Sequence, residues 1–345
     1  MTTLFQKQKQ IFFQNRLATV ALIFFVILFG LSLLSPILAN DKPLLLRYKG
    51  QFYFPFIQDV TDIELGGDLP TYADYQDSFT QQQIQEHGWA LSALIPYSAD
   101  SVDYFSKNPF PLPPSSQHWL GTDDQGRDLL ARLLYGLRLS LAFGVLLTFF
   151  ASCIGFCIGA IQGYFGGKTD LIIGRFIEIW GSLPQLFVLI ILAGFLKPTF
   201  GTLLVILILF SWPHLTGVVR TEFLRVRNLD YIRAAKALGA SDLNLIVRHI
   251  LPNALIATTT YLPFILSGAI VALSALDFLG LGLPPGTPSL GELIREAKEN
   301  LNAPWIGLTV LVLMSTLLAS LLLIGEGIRF AMDPYSGEKN EHLNH

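Results

Sequence analysis

LSLAFGVLLTFFASCIGFCIGAIQGYFGG, residues 139–167, contains no Asp, Glu, Lys or Arg from end to end. About 20 such residues in a helix cross the roughly 30 Å hydrocarbon core of a bilayer, so the run is long enough to span a membrane. Five more runs share the property: 17–40, 179–196, 198–219, 249–276 and 300–325. Six spanning helices are therefore expected, in an all-α integral membrane protein. Composition agrees, with 52% of the 345 residues hydrophobic and only 14% charged, well below a soluble domain. Within the opening run, Gly155, Gly159, Gly163 and Gly167 recur at every fourth position. On a helix that spacing lays four glycines along one face, where a second backbone can approach closely. Cys153 and Cys157 lie one turn apart in the same run and read as small core residues, with no partner ligands nearby.

The net charge of −3 says less than its distribution. Lys7, Lys9 and Arg16 precede the first span; Lys168 and Arg175 follow the second. Arg220, Arg225, Arg227, Arg233, Lys236 and Arg248 crowd one later loop. Basic loops stay inside, which predicts cytoplasmic tails at 1–16 and 331–345 and a periplasmic segment at 41–118, after a first helix at 17–40. That first run is too long for a signal-peptide core, and Ile37-Leu38-Ala39 is no cleavage site. The 41–118 segment is acidic and aromatic, with YFPF at 53–56 and HGW at 87–89. Short strands broken by Pro and Gly are expected there, forming a small folded cap. Residues 119–137 read as an interfacial helix: Thr122 and Gln125 have capping-box spacing, and Leu129, Leu130, Leu133, Leu134 and Leu137 form a stripe. Residues 138–330 hold the other five helices.

Little chemistry is legible. Gly166-Gly167-Lys168-Thr169 imitates the end of a phosphate loop, but Gln162 stands where its first glycine belongs. Asp123, Asp124 and Asp128 do not have EF-hand spacing. No catalytic cluster, metal set or cofactor site is expected, and no nucleic-acid partner. Glu178 is the one acid on a helix expected to enter the membrane, three residues after Arg175, so a local ion pair and a gate both remain open readings. Pro184 would kink the same helix, and Asp277 sits at the end of the fifth run; both join Glu178 as candidate pore or gate residues. His214 reads equally as a pore-lining or a packed residue.

One charged island remains, YIRAAKALGASDLNLIVRHILPN at 231–253. Ala234 and Ala235 leave room for a close surface, and Gly239 is a natural helix stop. Ser241 can cap a second helix with Asp242 in its first turn. Leu243, Ile246, Val247 and Ile250 are expected on one face of that helix. Leu238 or Leu245 can fill a pocket in a partner, and Leu251-Pro252 closes the segment. Two short helices around a tight turn are predicted.

This island resembles the "EAA" coupling loop (229–252) of permease subunits in binding-protein-dependent ABC importers. GTDDQGRD at 121–128 and DFLGLGLPPGTPSLGE at 277–292 are similar to the C-type subunit of the oligopeptide/dipeptide (OppC/DppC-like) group, so the resemblance covers roughly 119–330. The long aromatic insert is most similar to that of Yej-type peptide importers, associated with microcin C-like peptides. The resemblance implies the six-helix type I importer fold, with 138–330 as the permease domain, in the bacterial inner membrane. It implies a homologous second permease, cytoplasmic ABC ATPase subunits and a periplasmic peptide-binding protein, with ATP hydrolysis in the partner. Arg233, Ala234, Ala235, Leu238, Gly239, Ser241, Asp242, Leu251 and Pro252 would then form the ATPase contact. Arg233 stands where the family carries glutamate, so the family's own contact is not available to it; a carboxylate is one partner it could reach, and its partner stays open. A dipeptide or nickel permease of the same family, or a secondary transporter, are the alternatives.

Overall fold

The computed structural model describes residues 2–332 apart from 69, 105 and 107. In chain order the helices begin with α1 (Thr2–Gln14), α2 (Arg16–Leu33) and α3 (Ser35–Leu38). The insert contributes β1 (Leu45–Tyr48), β2 (Gln51–Tyr53), α4 (Ser78–His87) and β3 (Gly88–Leu91). Then come α5 (Leu129–Phe165), α6 (Gly167–Gly181), α7 (Gln185–Phe195), α8 (Phe200–Ser211) and α9 (Pro213–Arg227). The segment predicted to couple contributes α10 (Asp230–Ala237), α11 (Asp242–Leu245) and α12 (Leu251–Thr259). Last are α13 (Leu262–Phe278), α14 (Leu290–Glu299) and α15 (Pro304–Met332).

Four helical stretches are long and apolar enough to cross a membrane: Arg16–Leu33, Leu129–Phe165, Phe200–Arg227 and Pro304–Met332. Two further pairs qualify if each is one bent span, Gly167–Gly181 with Gln185–Leu192 (66°) and Asp242–Thr259 with Leu262–Phe278 (52°). Pro184 lies in the first break, as its missing N–H and fixed φ require.

Two compact units emerge, and each is described by itself. The first takes in residues 2–26, 142–285 and 315–332 of the described chain. Its core joins Tyr164 to Leu215, Val219, Phe223 and Val226 of α9, and to Ile232, Ile250 and Ala254. Gly155, Gly159 and Gly163 lie directly against α9. A Cβ on them would come within 2.4 Å of the Trp212 carbonyl oxygen, 2.6 Å of that of Thr216 and 2.6 Å of that of Arg220. The stripe is therefore a backbone-to-backbone contact. Gly167 is not part of it: it opens α6, with nothing within 4 Å of such a Cβ. Cys153 and Cys157, expected in the core, are exposed on α5.

The second unit takes in 27–141 and 286–314. The insert folds there as expected in kind. β1 lies between β2 and β3 in an antiparallel sheet, with α4 supporting it. Lys49 and Gly50, both at positive φ (47° and 81°), make the two-residue turn between β1 and β2, the geometry that suits the twist of a hairpin. Leu46, Tyr48, Val60, Leu65 and Ile84 form a small core.

The expected interfacial helix at 119–137 does not form as such. Residues 119–128 are turns, and the helix starts at Leu129 and runs unbroken to Phe165. The Thr122–Gln125 pattern is no capping box: Thr122 Oγ1 instead accepts from the Leu112 N–H at 2.8 Å. Asp128 takes the capping role, accepting from the Ala131 N–H at 2.8 Å. Leu129, Leu133 and Leu137 are buried rather than interfacial.

Candidate coupling site

Segment 229–252 is built from two short helices and a left-handed turn. Gly239 sits at φ +87°, a conformation that costs glycine nothing and other residues about 1–2 kcal/mol. Ser241 caps the next helix, its hydroxyl accepting from the Asn244 N–H. Leu251-Pro252 does not close the segment. Asp242 to Thr259 is continuous helix, widened into a π turn at Ile246–Ile250. Pro252 has no N–H for the ladder, and the wide turn just before it absorbs the mismatch.

That turn re-sorts the side chains. Leu243, Ile246, Val247 and Ile250 do not share a face: Ile250 and Leu245 are fully buried, while Leu243 and Val247 are exposed. Leu245 is thus a root of the segment and not a knob for a partner. Leu238 projects furthest, 89% exposed at the turn. Leu243 and Val247 are exposed too, so apolar side chains project from a segment that carries Arg233, Lys236 and Arg248 against Asp230 and Asp242. Arg233 is exposed as well, its guanidinium reaching the Asn228 side chain at 3.4 Å.

Polar ties fasten the segment to the helices behind it. The Tyr164 hydroxyl donates to Asp242 at 2.5 Å, and Lys236 pairs with the same carboxylate at 3.2 Å. Lys236 also lies over the Tyr164 ring, 5.8 Å from its centroid. Arg227 donates to the Tyr164 carbonyl at 2.5 Å. Arg220 grips Asp170 of α6 through two bonds of 2.5 and 2.6 Å, the fork geometry that makes guanidinium–carboxylate pairs rigid. None of Tyr164, Asp170 or Arg220 stood out in the sequence as a functional residue. Their polar character inside or beside apolar runs was the available signal.

The candidate gate residues do not converge. Glu178 pairs with Arg175 at 2.6 Å, and both side chains are exposed. Asp277 is buried and accepts from the Leu283 N–H at 2.7 Å, closing the turn after α13. Nearby aromatics stack instead: Trp180 lies on Phe176 and Phe210, with its indole N–H donating to the Leu209 carbonyl.

The second unit holds a charge cluster that sequence reasoning saw only as the motif GTDDQGRD. Asp123 folds its own loop, accepting from the backbone N–H of Gln125 and Arg127. Arg127 and Arg132 then lie between Asp123 and Glu296 of α14. The four distances are 2.6 Å (Arg127–Asp123), 3.2 Å (Arg132–Asp123), 3.1 Å (Arg127–Glu296) and 2.9 Å (Arg132–Glu296). All four side chains are buried. Burial pushes the Glu296 carboxyl up to about 7, against the pull of Arg132. Asp123, Asp124 and Glu296 bring carboxylate oxygens within 4.8 Å of one another, but guanidinium groups stand where a cation would. His118 is buried beside Asp128 (2.8 Å) and Asp103 (3.5 Å). Burial opposes its charge, yet the two carboxylates win and raise its pKa.

Residues 155–329, which include segment 229–252 and the helices it is tied to, match the family model of the binding-protein-dependent transport system inner membrane component. The chain belongs to that family. It is 52% identical, over 94% of its length and 95% of the relative's, to the inner membrane ABC transporter permease protein YejE of Escherichia coli (strain K12). The peptidoglycan transport system permease protein YejE of Agrobacterium fabrum is 45% identical over 95% of this chain and 92% of that one. The dipeptide transport system permease protein DppC of Haemophilus influenzae is 35% identical over 71% of this chain and 85% of that one. Among solved structures, a chain of the MetNI methionine ABC transporter in inward-facing conformations superposes with a TM-score of 0.50. It covers 59% of this chain and 98% of that one at 20% identity. The fold of this inner membrane component is thus that of type I ABC importer permeases.

Proposed function

We propose that the chain is a permease subunit of an ATP-driven importer for oligopeptides or peptide-like compounds. The observation that carries the reading is that Leu238, Leu243 and Val247 are exposed on a segment anchored in the core by Ile232, Leu245 and Ile250. A surface so built receives a partner and transmits its movement. The partner is a cytoplasmic ATPase, which kinship with ABC transporter permeases supports. A carboxylate in the ATPase groove answers Arg233. Force applied at Leu238, Leu243 and Val247 passes through Asp242 and Tyr164 to α5 and through Ile232 to α9, tilting them between inward- and outward-open states.

A homologous second permease completes the pathway across the inner membrane, and a periplasmic binding protein delivers cargo to the side bearing residues 41–118. Both termini are cytoplasmic, as the basic residues around 220–248 favour. The names of the relatives, a dipeptide permease and a peptidoglycan transport permease among them, support peptide-like cargo.

Gly239→Pro tests the coupling. Proline fixes φ near −65°, against the +87° this turn needs. The variant should insert in the membrane at wild-type levels, lose its co-purifying ATPase and abolish peptide uptake. Peptide-dependent growth at the wild-type rate would refute the assignment.

A further inference from the structure

The insert carries a cleft of about 1160 Å³, and one wall of it is a sheet edge. β3 pairs with β1 alone, because the strand order is β2-β1-β3. The phase of that pairing is set by the Lys49 N–H donating to the His87 carbonyl at 3.1 Å, in the register that continues as Arg47↔Trp89 and Leu45↔Leu91. Facing pairs in an antiparallel ladder alternate between bonded and non-bonded. The backbone groups of Trp89 and Leu91 therefore turn toward β1, and those of Gly88 and Ala90 turn away from it. Gly88 and Ala90 both line the cleft. Their N–H and C=O groups form the start of a ladder with no strand on that side among the described residues.

The rest of the wall suits the same kind of ligand. Ser78, Gln81 and Gln85 fall at helical spacing along α4 and line the cleft together, offering hydroxyl and amide groups. Trp89 adds a partly exposed aromatic face. Asp41 and Asp103 also line it, Asp103 being the carboxylate that meets His118 at 3.5 Å. Asp41 is held in place by the Ser98 and Ser101 hydroxyls.

We infer that this cleft is a cargo site that takes an extended peptide as an added strand on β3, with the peptide's ammonium end toward Asp41 and Asp103. Strand addition recognises backbone and leaves side chains free, which suits an importer of varied peptides. Four residues of β3 present about 13 Å of edge, enough for three or four peptide residues. The inference rests on the peptide-importer function proposed for the chain.

Ala90→Pro is the direct test, because proline is tolerated on an edge strand where the lost N–H faces outward. The probe is a lysyl-tetraalanine peptide, compared with its N-acetylated form, on the complete importer reconstituted with its partners in nanodiscs. Losing one strand bond with its attendant steric conflict should weaken peptide binding and raise half-saturation for uptake about tenfold. ATPase stimulation by unliganded binding protein and thermal unfolding should match wild type. Gln85→Lys, which keeps the edge but adds a cation, should weaken the lysyl peptide and narrow its advantage over the acetylated one. Wild-type peptide affinity in Ala90→Pro overturns the inference. So does loss of binding-protein-stimulated ATPase at unchanged peptide affinity, which would make the cleft a docking site for that protein. Failure of the wild-type complex to import any peptide would instead overturn the functional reading along with this site.

Discussion

Two charged regions of this chain solve opposite problems. Segment 229–252 buries its leucine and isoleucine roots and leaves Leu238, Leu243 and Arg233 outside. Residues 121–132, the loop before α5 and its first turn, do the reverse with α14 and bury Asp123, Arg127, Arg132 and Glu296. The first arrangement is expensive only in the absence of a partner; the second stabilises the chain only while every charge is matched. Exposed apolar groups on a rigid base are what the proposed docking surface requires, whereas enclosed charges mark a joint within one unit.

Substitution should separate the two. Arg132→Leu leaves Asp123 and Glu296 short of a counter-charge, and breaking such a buried network costs about 3–5 kcal/mol. The thermal unfolding midpoint of the detergent-purified chain should fall steeply, and a midpoint near wild type would mean the cluster is not a joint. Solution pH acts on the same place less strongly. The folded pKa of Glu296 is raised from 4.5 to about 7, so the stability it contributes is full below the unfolded value and is lost as pH rises through about 7. His118, raised above 6.5, acts in the same direction. The unfolding midpoint should decline from about pH 5 to about pH 8, by an amount worth at most about 3 kcal/mol. Glu296→Gln should flatten most of that slope, leaving the His118 part. Leu238→Asp is expected to move stability least, within about 0.5 kcal/mol, as exposed positions do. Its effect belongs to association: ATPase retained on purification should drop about tenfold or more, the loss typical of an anchor residue. A large loss of stability with ATPase retained would exchange the roles of the two regions.

Much of the local structure of segment 229–252 was legible because its signals are local. A glycine with positive φ, a serine cap three residues before the N–H it satisfies, and a helical stretch on each side all act within one or two turns. The face of the second helix was not. Periodicity assigned Leu243 and Val247 to the same side as Ile250, but the π turn ahead of Pro252 shifts the phase and puts Leu245 inside instead. Nor was the start of α5 legible. Asp123 takes two backbone N–H groups for its own loop, a competition that keeps residues 119–128 out of the helix.

The sequence by itself determined the class of the protein, its apolar spans, the close approach at Gly155, Gly159 and Gly163 and the left-handed turn at Gly239. Those come from hydropathy, from helical period and from the conformational freedom of single residues, all properties of short stretches. Only the tertiary structure decided that Arg127 and Arg132 meet Glu296 some 165 positions away. It also decided that Tyr164 holds Asp242 and that β3 is an open edge on a cleft. Pairings between distant segments depend on which surfaces the chain has left to bury, and no local pattern records that choice.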